Sequence, residues 1–573
     1  MGLVFNFNVG LVGHVDSGKT SLARALSTTA STAAFDKNPQ SQERGITLDL
    51  GFSSLELPVN DLITGIDSAF SDYDYLQITF VDCPGHASLL RTVIGGSSII
   101  DFFILVVDAT KGIQTQTAEC LVVADITKPK KMIVALNKID LFPESERDIK
   151  IRKITARLRK ALMSTSFEEA AIIPVSAKLA EEKTDSSQSL GLDTLTNALV
   201  QSLYFPRREQ SGSFLFSVDH CFALRGQGTV LTGTVLSGLV KVGDSVEISG
   251  ISEVRKVKSI QRFRKPVTSA CQGDRIGICV TNFDATLLER GLLCSPGSLP
   301  TAYAAIVGIR PVRFYKLPIR SKSKMHISVG HETVIARCTF FGSQPEQAAS
   351  SGADFLTSFD WSAEFAWSEY LVDRSATDDG TGDGTDGAAQ SLIAPFALLE
   401  FEHPVRLPAD SLLIGAKLDS DINANLCRLA FYGRVITLLS DKAYASSKLP
   451  ALKVFKLKSK SGIVERVADP YTVIVHGMFK KETKIEQFCG LKAELSTGES
   501  GVIEGNFGQS GKIKIRVPAG LKQETIDFLE AQSAAKKRQR KKDADPVVPT
   551  SETLKVTITF KRYCFDPSKR MIQ

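Results

Sequence analysis

The run GHVDSGKT at residues 13–20 constrains this chain most, because it directly follows the apolar run at residues 9–12. A glycine, four residues and Gly-Lys-Thr between a strand and a helix form the phosphate-binding loop pattern, whose backbone N–H groups cradle nucleotide phosphates. Lys19 is expected to reach the β- and γ-phosphates, and Thr20 to hold Mg²⁺. An ordinary glycine-rich turn is the alternative, and the other motifs decide between the two. The candidate phosphate-binding residues are Gly13, His14, Val15, Asp16, Ser17, Gly18, Lys19 and Thr20.

Residues 1–205 alternate short apolar runs with helical patterns, which is typical of a doubly wound α/β sheet. Strands are predicted at residues 5–12, 77–81, 102–107, 132–136 and 171–174. Ligands of such sheets bind at the carboxyl ends of the strands, so motifs are expected there. The phosphate loop ends the first predicted strand, and DCPGH, NKID and SAK end the second, fourth and fifth. The sequence therefore predicts a nucleotide site along one edge of this sheet.

The side chains of these motifs suit a guanine nucleotide with Mg²⁺. Asp82 is expected to accept from a water on Mg²⁺, and the backbone N–H of Gly85 to sense the γ-phosphate. The Asp140 carboxylate can accept from two adjacent N–H donors on the edge of guanine, which adenine lacks, so GTP is predicted rather than ATP. Asn137 is expected to brace the loops, and the aliphatic stem of Lys138 to cover the base.

A further motif, RGIT at residues 44–47, lies where a mobile loop could bring Thr47 to Mg²⁺ and the γ-phosphate. GHVDSGKT, RGIT, DCPGH, NKID and SAK follow the order of the translational GTPases, which this part of the chain resembles. The resemblance implies that His86, next to the γ-phosphate sensor, orients the attacking water and is the catalytic residue. The SAK motif adds Ser176, Ala177 and Lys178 to the predicted nucleotide site.

The middle of the chain is β-rich. Residues 211–300 contain short β-type runs with glycine turns, which predicts a small antiparallel barrel. Residues 303–440 predict a second barrel with a disordered insertion at about 344–394, because the segment 373–387 is rich in Gly and Asp without an apolar anchor. These two regions resemble the second and third domains of elongation factor Tu, which contact aminoacyl-tRNA.

The first barrel carries three unusual polar residues, Asp219, His220 and Arg275, which are expected on neighbouring strands. From the barrel sequence alone, a satisfied structural polar network is the favoured interpretation. However, the segments AFDKNPQSQERGITLDLGF, VDCPGHASLLRT, LLERGLLC and KRYCFDPSKRM resemble the eukaryotic selenocysteine-specific elongation factors. That resemblance implies that the three residues line the pocket for the aminoacyl group, and it reverses the preference.

Residues 451–573 contain alternating stretches that predict another small β-barrel-like domain. From residue 441 to the end, 26 Lys and Arg face 15 Asp and Glu, which suggests contact with a polyanion such as RNA or merely a solvated surface. A basic run could be a nuclear-localisation signal, an RNA contact or a flexible loop. Its members are Lys536, Lys537, Arg538, Arg540, Lys541 and Lys542.

The predicted fold is multidomain α/β plus β: a doubly wound P-loop GTPase domain, two elongation factor Tu-like β-barrels and a C-terminal β-barrel-like domain. No apolar run reaches the roughly 20 residues that cross a bilayer, so no membrane association is expected. The ten Cys form no CxxC pair, which argues against zinc and favours a reducing compartment. A cytoplasmic location is expected, with the basic run leaving nuclear import open.

The resemblance implies a monomeric GTPase that carries selenocysteinyl-tRNA to ribosomes paused at recoded UGA codons. It also implies a separate RNA-binding protein on the selenocysteine-insertion element of the messenger, since the chain shows no obvious winged-helix repeats. Two alternatives stay open: a general or initiator tRNA carrier, and the GTPase subunit of a sulfate-activating enzyme. The basic fourth domain disfavours both.

Overall fold

A computed structural model gives the arrangement of most of the chain. It describes residues 3–30, 50–62, 68–84, 99–127, 129–163, 165–178, 190–208, 210–224, 226, 228–330, 332–342, 359–372, 395–419, 427–508, 511–539, 553–568 and 571–573. Of the residues predicted for the nucleotide site, Thr47, Gly85 and His86 lie outside these ranges. None of the described helices is long and apolar enough to cross a membrane.

The N-terminal domain is built on a seven-stranded sheet in the order β2-β3-β4-β1-β5-β6-β7. Strands β4, β1, β5, β6 and β7 are parallel, whereas β3 runs antiparallel to β4. The central strands are buried, and the sequences of β5 and β6 are nearly continuous apolar runs. The strands are β1 Val4–Val12, β2 Thr29–Ala30, β3 Gly51–Pro58, β4 Tyr75–Asp82, β5 Phe102–Asp108, β6 Met132–Asn137 and β7 Ala171–Pro174; the helices are α1 Lys19–Leu26, α2 Thr115–Thr127, α3 Glu144–Leu162 and α4 Leu192–Ser202.

The second domain is an antiparallel barrel. Its main sheet has the order β11-β16-β8-β9-β15-β12-β13, and a pairing between β11 and β12 closes it, while β10 and β14 form a separate ribbon. The strands are β8 Leu215–Leu224, β9 Gly228–Ser237, β10 Leu239–Lys241, β11 Ser245–Ile248, β12 Glu253–Arg262, β13 Lys265–Val267, β14 Ser269–Cys271, β15 Arg275–Val280 and β16 Gly291–Cys294.

The third domain is a six-stranded barrel in the order β18-β22-β23-β17-β21-β19, closed by pairing of β18 with β19. Its interior is a large apolar cluster that includes Phe340 and Phe431. The strands are β17 Thr301–Pro311, β18 Lys324–Val329, β19 Glu332–Gly342, β21 Phe396–Arg406, β22 Leu412–Ala416 and β23 Leu429–Leu439, and the short strand β20 Phe365–Ser368 adds to β19.

The prediction of a disordered insertion at 344–394 is wrong for residues 359–372. This segment contains β20, which pairs antiparallel with β19 and parallel with strand β24, Val454–Asp469, of the fourth domain. Phe359, Trp361 and Phe365 pack with buried aromatic rings of the third barrel, so burial of apolar surface fixes the segment. The Gly- and Asp-rich stretch at 373–387 lies outside the described residues.

The fourth domain is a second closed β-structure, joined to the third through β20 and β24. Pairing of β24 with β29 closes the order β24-β25-β28-β27-β26-β29. The alternating pattern predicted within residues 451–573 does not form strands throughout, since Ile485–Phe488 is a 3₁₀ helix whose buried face packs on the core. The elements are β24 Val454–Asp469, β25 Thr472–His476, β26 Lys492–Leu495, β27 Ser500–Phe507, β28 Lys512–Arg516, β29 Lys555–Tyr563 and β30 Met571–Ile572, with helices α5 Tyr444–Ser447 before the domain and α6 Gln523–Gln539 within it.

The predicted fold class is confirmed: an α/β P-loop domain precedes two β-barrels and a C-terminal β-domain. The ten cysteines are all free thiols. Within the described part of the chain, no group of three or more His, Cys, Asp or Glu side chains could hold a metal ion.

Candidate functional site

The loop between β1 and α1 depends on two glycines that no other residue could replace without strain. Gly13 has φ +151°, and a Cβ there would lie 2.2 Å from the carbonyl oxygen of Val106. Gly18 has φ +89°, and a Cβ there would lie 2.2 Å from Nδ2 of Asn137. Both positions therefore require the missing side chain of glycine. The sequence spacing of the motif reflects this close backbone packing.

Lys19 begins α1 and is held over the loop, where its Nζ donates to the carbonyl oxygen of His14 at 2.8 Å. Burial lowers the pKa of Lys19. Burial also lowers the pKa of His14, and the positive charges of Lys19 and Lys111 lower it further. Gln116 of α2 also contacts the loop, since its Oε1 accepts a hydrogen bond from the backbone N–H of Val15 at 3.3 Å. A buried ammonium group of this kind suits an anionic ligand such as a phosphate chain.

The two predicted metal residues in the described part lie in contact. Oγ1 of Thr20 donates to Oδ2 of Asp82 at 2.6 Å, at the carboxyl end of the buried strand β4. A hydroxyl and a carboxylate are hard oxygen donors, which are the donors that Mg²⁺ takes in proteins. These residues therefore fit a magnesium ion.

Asn137 joins three loops of the site. Its Nδ2 donates to the carbonyl oxygen of Ser17 at 2.9 Å, and its Oδ1 accepts from the backbone N–H of Ala177 at 3.0 Å. The predicted base-reading carboxylate is held by the same loop, since Oγ of Ser176 donates to Oδ1 of Asp140 at 2.7 Å. Lys178 is exposed. The phosphate loop and the two loops predicted to recognise the base thus form one hydrogen-bonded unit.

The sequence interpretation missed Asp108, which ends β5 and forms an ion pair with Nζ of Lys138 at 2.9 Å. Burial alone would raise the pKa of Asp108, but hydrogen bonds from Thr110 and Lys138 hold it below its usual range. The pair fixes the Lys138 side chain, whose own backbone is left-handed with φ +66°. The sequence contains a signal for it, because the strand that Asp108 ends is the one predicted strand that no recognised motif follows.

The structure brings Asp219 and Arg275 together in a hydrogen-bonded ion pair in the second domain. Both are buried, with Arg275 4% and Asp219 7% exposed. They do not lie on neighbouring strands as predicted, because β8 and β15 flank β9 on opposite sides. A β-bulge between Val218 and His220 leaves Asp219 out of register. The bulge frees its side chain to reach across the sheet.

His220 is half-buried and lies opposite Thr232 on β9. The Asp219 carboxylate accepts a hydrogen bond from Arg275. Nη1 of Arg275 also lies 3.4 Å from Oγ1 of Thr234. A cavity of about 120 Å³ opens beside Arg275, with Thr232 in its wall. The pocket thus contains a cation that already has an anionic partner.

The basic run lies at the end of α6. Lys536, Lys537 and Arg538 fall within this helix, whereas Arg540, Lys541 and Lys542 lie outside the described residues. Because these three positions are helical, the flexible-loop alternative does not apply to them. The RNA-contact and targeting alternatives both remain open.

Family models match all four domains. They are the elongation factor Tu GTP binding domain over residues 6–204 and elongation factor Tu domain 2 over 228–292. The third domain of eukaryotic selenocysteine-specific elongation factors matches 306–433, and the C-terminal RIFT domain of the same family matches 450–569.

Relatives and solved structures agree with these matches. The chain is 51% identical to the mouse selenocysteine-specific elongation factor over 99% of both chains. It is 38% identical to the protein of that name from Methanocaldococcus jannaschii, over 58% of this chain and 65% of the other. Translation elongation factor SelB from Methanococcus maripaludis, solved with the GTP analogue GppNHp, has the same fold, with a TM-score of 0.65, 24% identity, and 98% and 99% of the two chains covered.

Proposed function

Because the chain belongs to the family of selenocysteine-specific elongation factors, we propose that it binds GTP, carries selenocysteinyl-tRNA to the ribosome at recoded UGA codons and hydrolyses GTP there. The observation that carries this proposal is that the family similarity extends over the whole chain, including the third and fourth domains. The assembled GTP site and the buried ion pair of the second domain support it.

In the nucleotide site, backbone N–H groups of the phosphate loop and Lys19 bind the phosphates, and Asp140 reads the guanine edge. Mg²⁺ would be held by Thr20 and Asp82, with Thr47 as a further ligand, and would supply positive charge to the phosphates during hydrolysis. His86 would orient the attacking water. Lys138 would cover the base while its ammonium group stays on Asp108.

Domains two to four would contact RNA. The two barrels would contact the tRNA, and the fourth domain with its excess of Lys and Arg would contact RNA. A separate RNA-binding protein would recruit the chain to the selenocysteine-insertion element of the messenger. We propose a monomer that acts in the cytoplasm. The sulfate-activating subunit and the general tRNA carrier are less suited, since neither accounts for the fourth domain.

The second domain has to distinguish selenocysteine from serine on the same tRNA. The two aminoacyl groups differ in one atom, and a methylene-sized difference supplies only roughly 1–3 kcal/mol in an apolar pocket. A selenol ionises far more readily than a hydroxyl, so selenocysteine presents an anion at neutral pH. Only an anion can compete with Asp219 for the Arg275 guanidinium, because a neutral hydroxyl cannot replace a charge-assisted bond.

The test is protection of the aminoacyl bond against hydrolysis, measured for selenocysteinyl- and seryl-tRNA of the same body. The wild-type chain should protect the selenocysteinyl form far better than the seryl form. Arg275→Ala and His220→Ala should selectively weaken protection of the selenocysteinyl form and leave GTP affinity unchanged. Equal losses of protection for both charged tRNAs, or no loss for either, would show that these residues do not line the pocket.

A further inference from the structure

The guanidinium of Arg275 is covered by a side chain of a different domain. Its Cζ lies 3.3 Å from the ring centroid of Phe52, which is carried by β3 of the GTPase domain. Phe52 is 1% exposed, so its ring is enclosed between the two domains. An aromatic face attracts a cation and keeps water from it. Arg275 is therefore held on one side by Asp219 and on one face by Phe52.

Further contacts hold the GTPase domain against the barrel that carries Arg275. The side-chain amides of Asn6 and Asn8, on β1, donate to the carbonyl oxygen of Gly273 at 2.7 and 3.0 Å. Glu56, four residues beyond Phe52, forms an ion pair with Lys265 of β13 at 2.8 Å. These bonds hold β1 and β3 of the GTPase domain against the barrel, so the position of the Phe52 ring depends on the packing of the two domains.

Strand β3 also pairs with the strand that ends in the predicted metal ligand. Gly51 lies opposite Asp82, and Phe52 lies opposite Val81, in the antiparallel register of β3 and β4. Asp82 in turn accepts the hydrogen bond of Thr20 in the phosphate loop. Phe52, whose ring covers Arg275, therefore directly follows Gly51, the residue of β3 that pairs with Asp82 of the predicted metal site.

We propose that Phe52 is a specificity-determining positioning residue of the aminoacyl pocket, supplied by the GTPase domain. This inference rests on the proposed function and deepens it. The ring excludes water from the Arg275 guanidinium and fixes its position. The attraction between the guanidinium and a selenolate is therefore strong, whereas a neutral serine hydroxyl interacts with it only weakly. Because the ring comes from another domain, the pocket is complete only when the GTPase domain packs on the barrel.

The test uses Phe52→Leu in the full-length chain, with hydrolysis protection of both charged tRNAs and GTP affinity as readouts. Leucine keeps an apolar side chain but removes the aromatic face. Phe103→Leu is the matched control, because Phe103 is also fully buried in the same hydrophobic cluster and lies three strands away on β5. Phe52→Leu should weaken protection of the selenocysteinyl form about tenfold. The seryl form, GTP affinity and the control should stay within about twofold of wild type.

A double-variant cycle separates positioning from simple packing. If Phe52 acts through Arg275, the variant that combines Phe52→Leu with Arg275→Ala should protect selenocysteinyl-tRNA no worse than Arg275→Ala alone. Additive losses, or equal losses for the two charged tRNAs, would overturn the inference. A wild-type chain that fails to protect selenocysteinyl-tRNA would instead overturn the proposed function itself, so the two failures are distinguishable.

Discussion

Glu119 and Arg428 form a buried, two-pronged ion pair that joins α2 of the GTPase domain to the third barrel. Nε of Arg428 donates to Oε1 of Glu119 at 3.0 Å, and Nη2 donates to Oε2 at 2.8 Å. Both side chains are more than nine-tenths buried. A planar guanidinium matched to a carboxylate in this way fixes orientation as well as distance.

Removing one member of this pair should weaken the contact between the two domains strongly. Arg428→Ala leaves the Glu119 carboxylate buried without its main partner, which costs about 3–5 kcal/mol. Hydrogen exchange of the α2 backbone amides measures the loss. Arg434→Ala is the control, since its ion pair with Asp410 lies on the surface of the same barrel. Equal effects of the two variants would contradict the role of the buried pair.

Asp140→Asn should exchange the base preference of the site. Guanine presents N–H donors to a carboxylate, whereas xanthine presents a carbonyl that needs the amide donor of asparagine. Competition binding with GTP and xanthosine triphosphate measures the change. Ser176→Ala, which removes only the bond that steadies Asp140, should weaken GTP binding modestly without altering the preference. Retained guanine selectivity in Asp140→Asn would show that another group reads the base.

His86→Ala should leave the affinities for GTP and tRNA nearly unchanged and slow ribosome-stimulated hydrolysis. The proposed role of His86 is to orient water, and such a role stabilises the transition state rather than the bound nucleotide. Single-turnover hydrolysis on ribosomes, compared with equilibrium GTP binding, separates the two effects. Hydrolysis at the wild-type rate would exclude His86 from the mechanism.

Replacing the basic run with glutamine should weaken RNA binding if those side chains contact phosphates. Each lost contact lowers the slope of log affinity against log salt by roughly 0.7 to 0.9, because fewer counterions are released. Binding of the tRNA over a range of salt concentrations measures the slope. An unchanged slope with lost nuclear import would favour the targeting alternative. The substituted residues are Lys536, Lys537, Arg538, Arg540, Lys541 and Lys542.

The junction of the third and fourth domains should loosen in acid. Hydrogen bonds from Lys561 and Tyr563 hold the pKa of Glu364 below its usual range. A lowered carboxyl pKa stabilises the folded state above the ordinary glutamate pKa of about 4.3, and this stabilisation is lost as the pH falls through the lower, folded value. The protection factors of the β29 amides, which correct for the intrinsic pH dependence of exchange, should therefore fall below about pH 4.

The matched variant for this junction is Glu364→Gln. Its β29 amides should exchange faster than those of the wild type at neutral pH, and the loss of protection that comes from protonating Glu364 in acid should be absent. Glu402→Gln provides the control, since Glu402 pairs with Lys324 within the third barrel. A junction whose exchange is the same in Glu364→Gln and wild type would contradict the assignment.

The five parallel strands and the phosphate loop could be predicted because each is encoded locally. A buried strand needs only an apolar run, and a phosphate loop needs glycines at fixed spacing. Strand β3 was missed, since GFSSLELP lies at the antiparallel side of the sheet and has mixed polarity. The contact of Phe52 with Arg275 joins residues of two domains, so no local pattern in the sequence encodes it.

The ordered segment at 359–372 was missed for a different reason. Its anchors are a few rings, such as Phe359 and Phe365, next to a stretch rich in Gly and Asp whose composition dominates the pattern. These rings become anchors only because Phe341 and Phe396 of the third barrel present apolar surface to them. Composition reports how much apolar surface a segment has, and it does not report whether a partner surface exists.

The shared sheet at β20 and β24 also bears on mechanics. Phe365 and Ala366 lie in register with Val454 and Phe455, so the third and fourth domains are connected by a backbone ladder and an aromatic cluster as well as by the chain. A ladder resists bending in its plane far more than a single-chain joint does, because hinge motion would have to break its hydrogen bonds. The third and fourth domains are therefore expected to move together as one unit when the fourth domain is displaced.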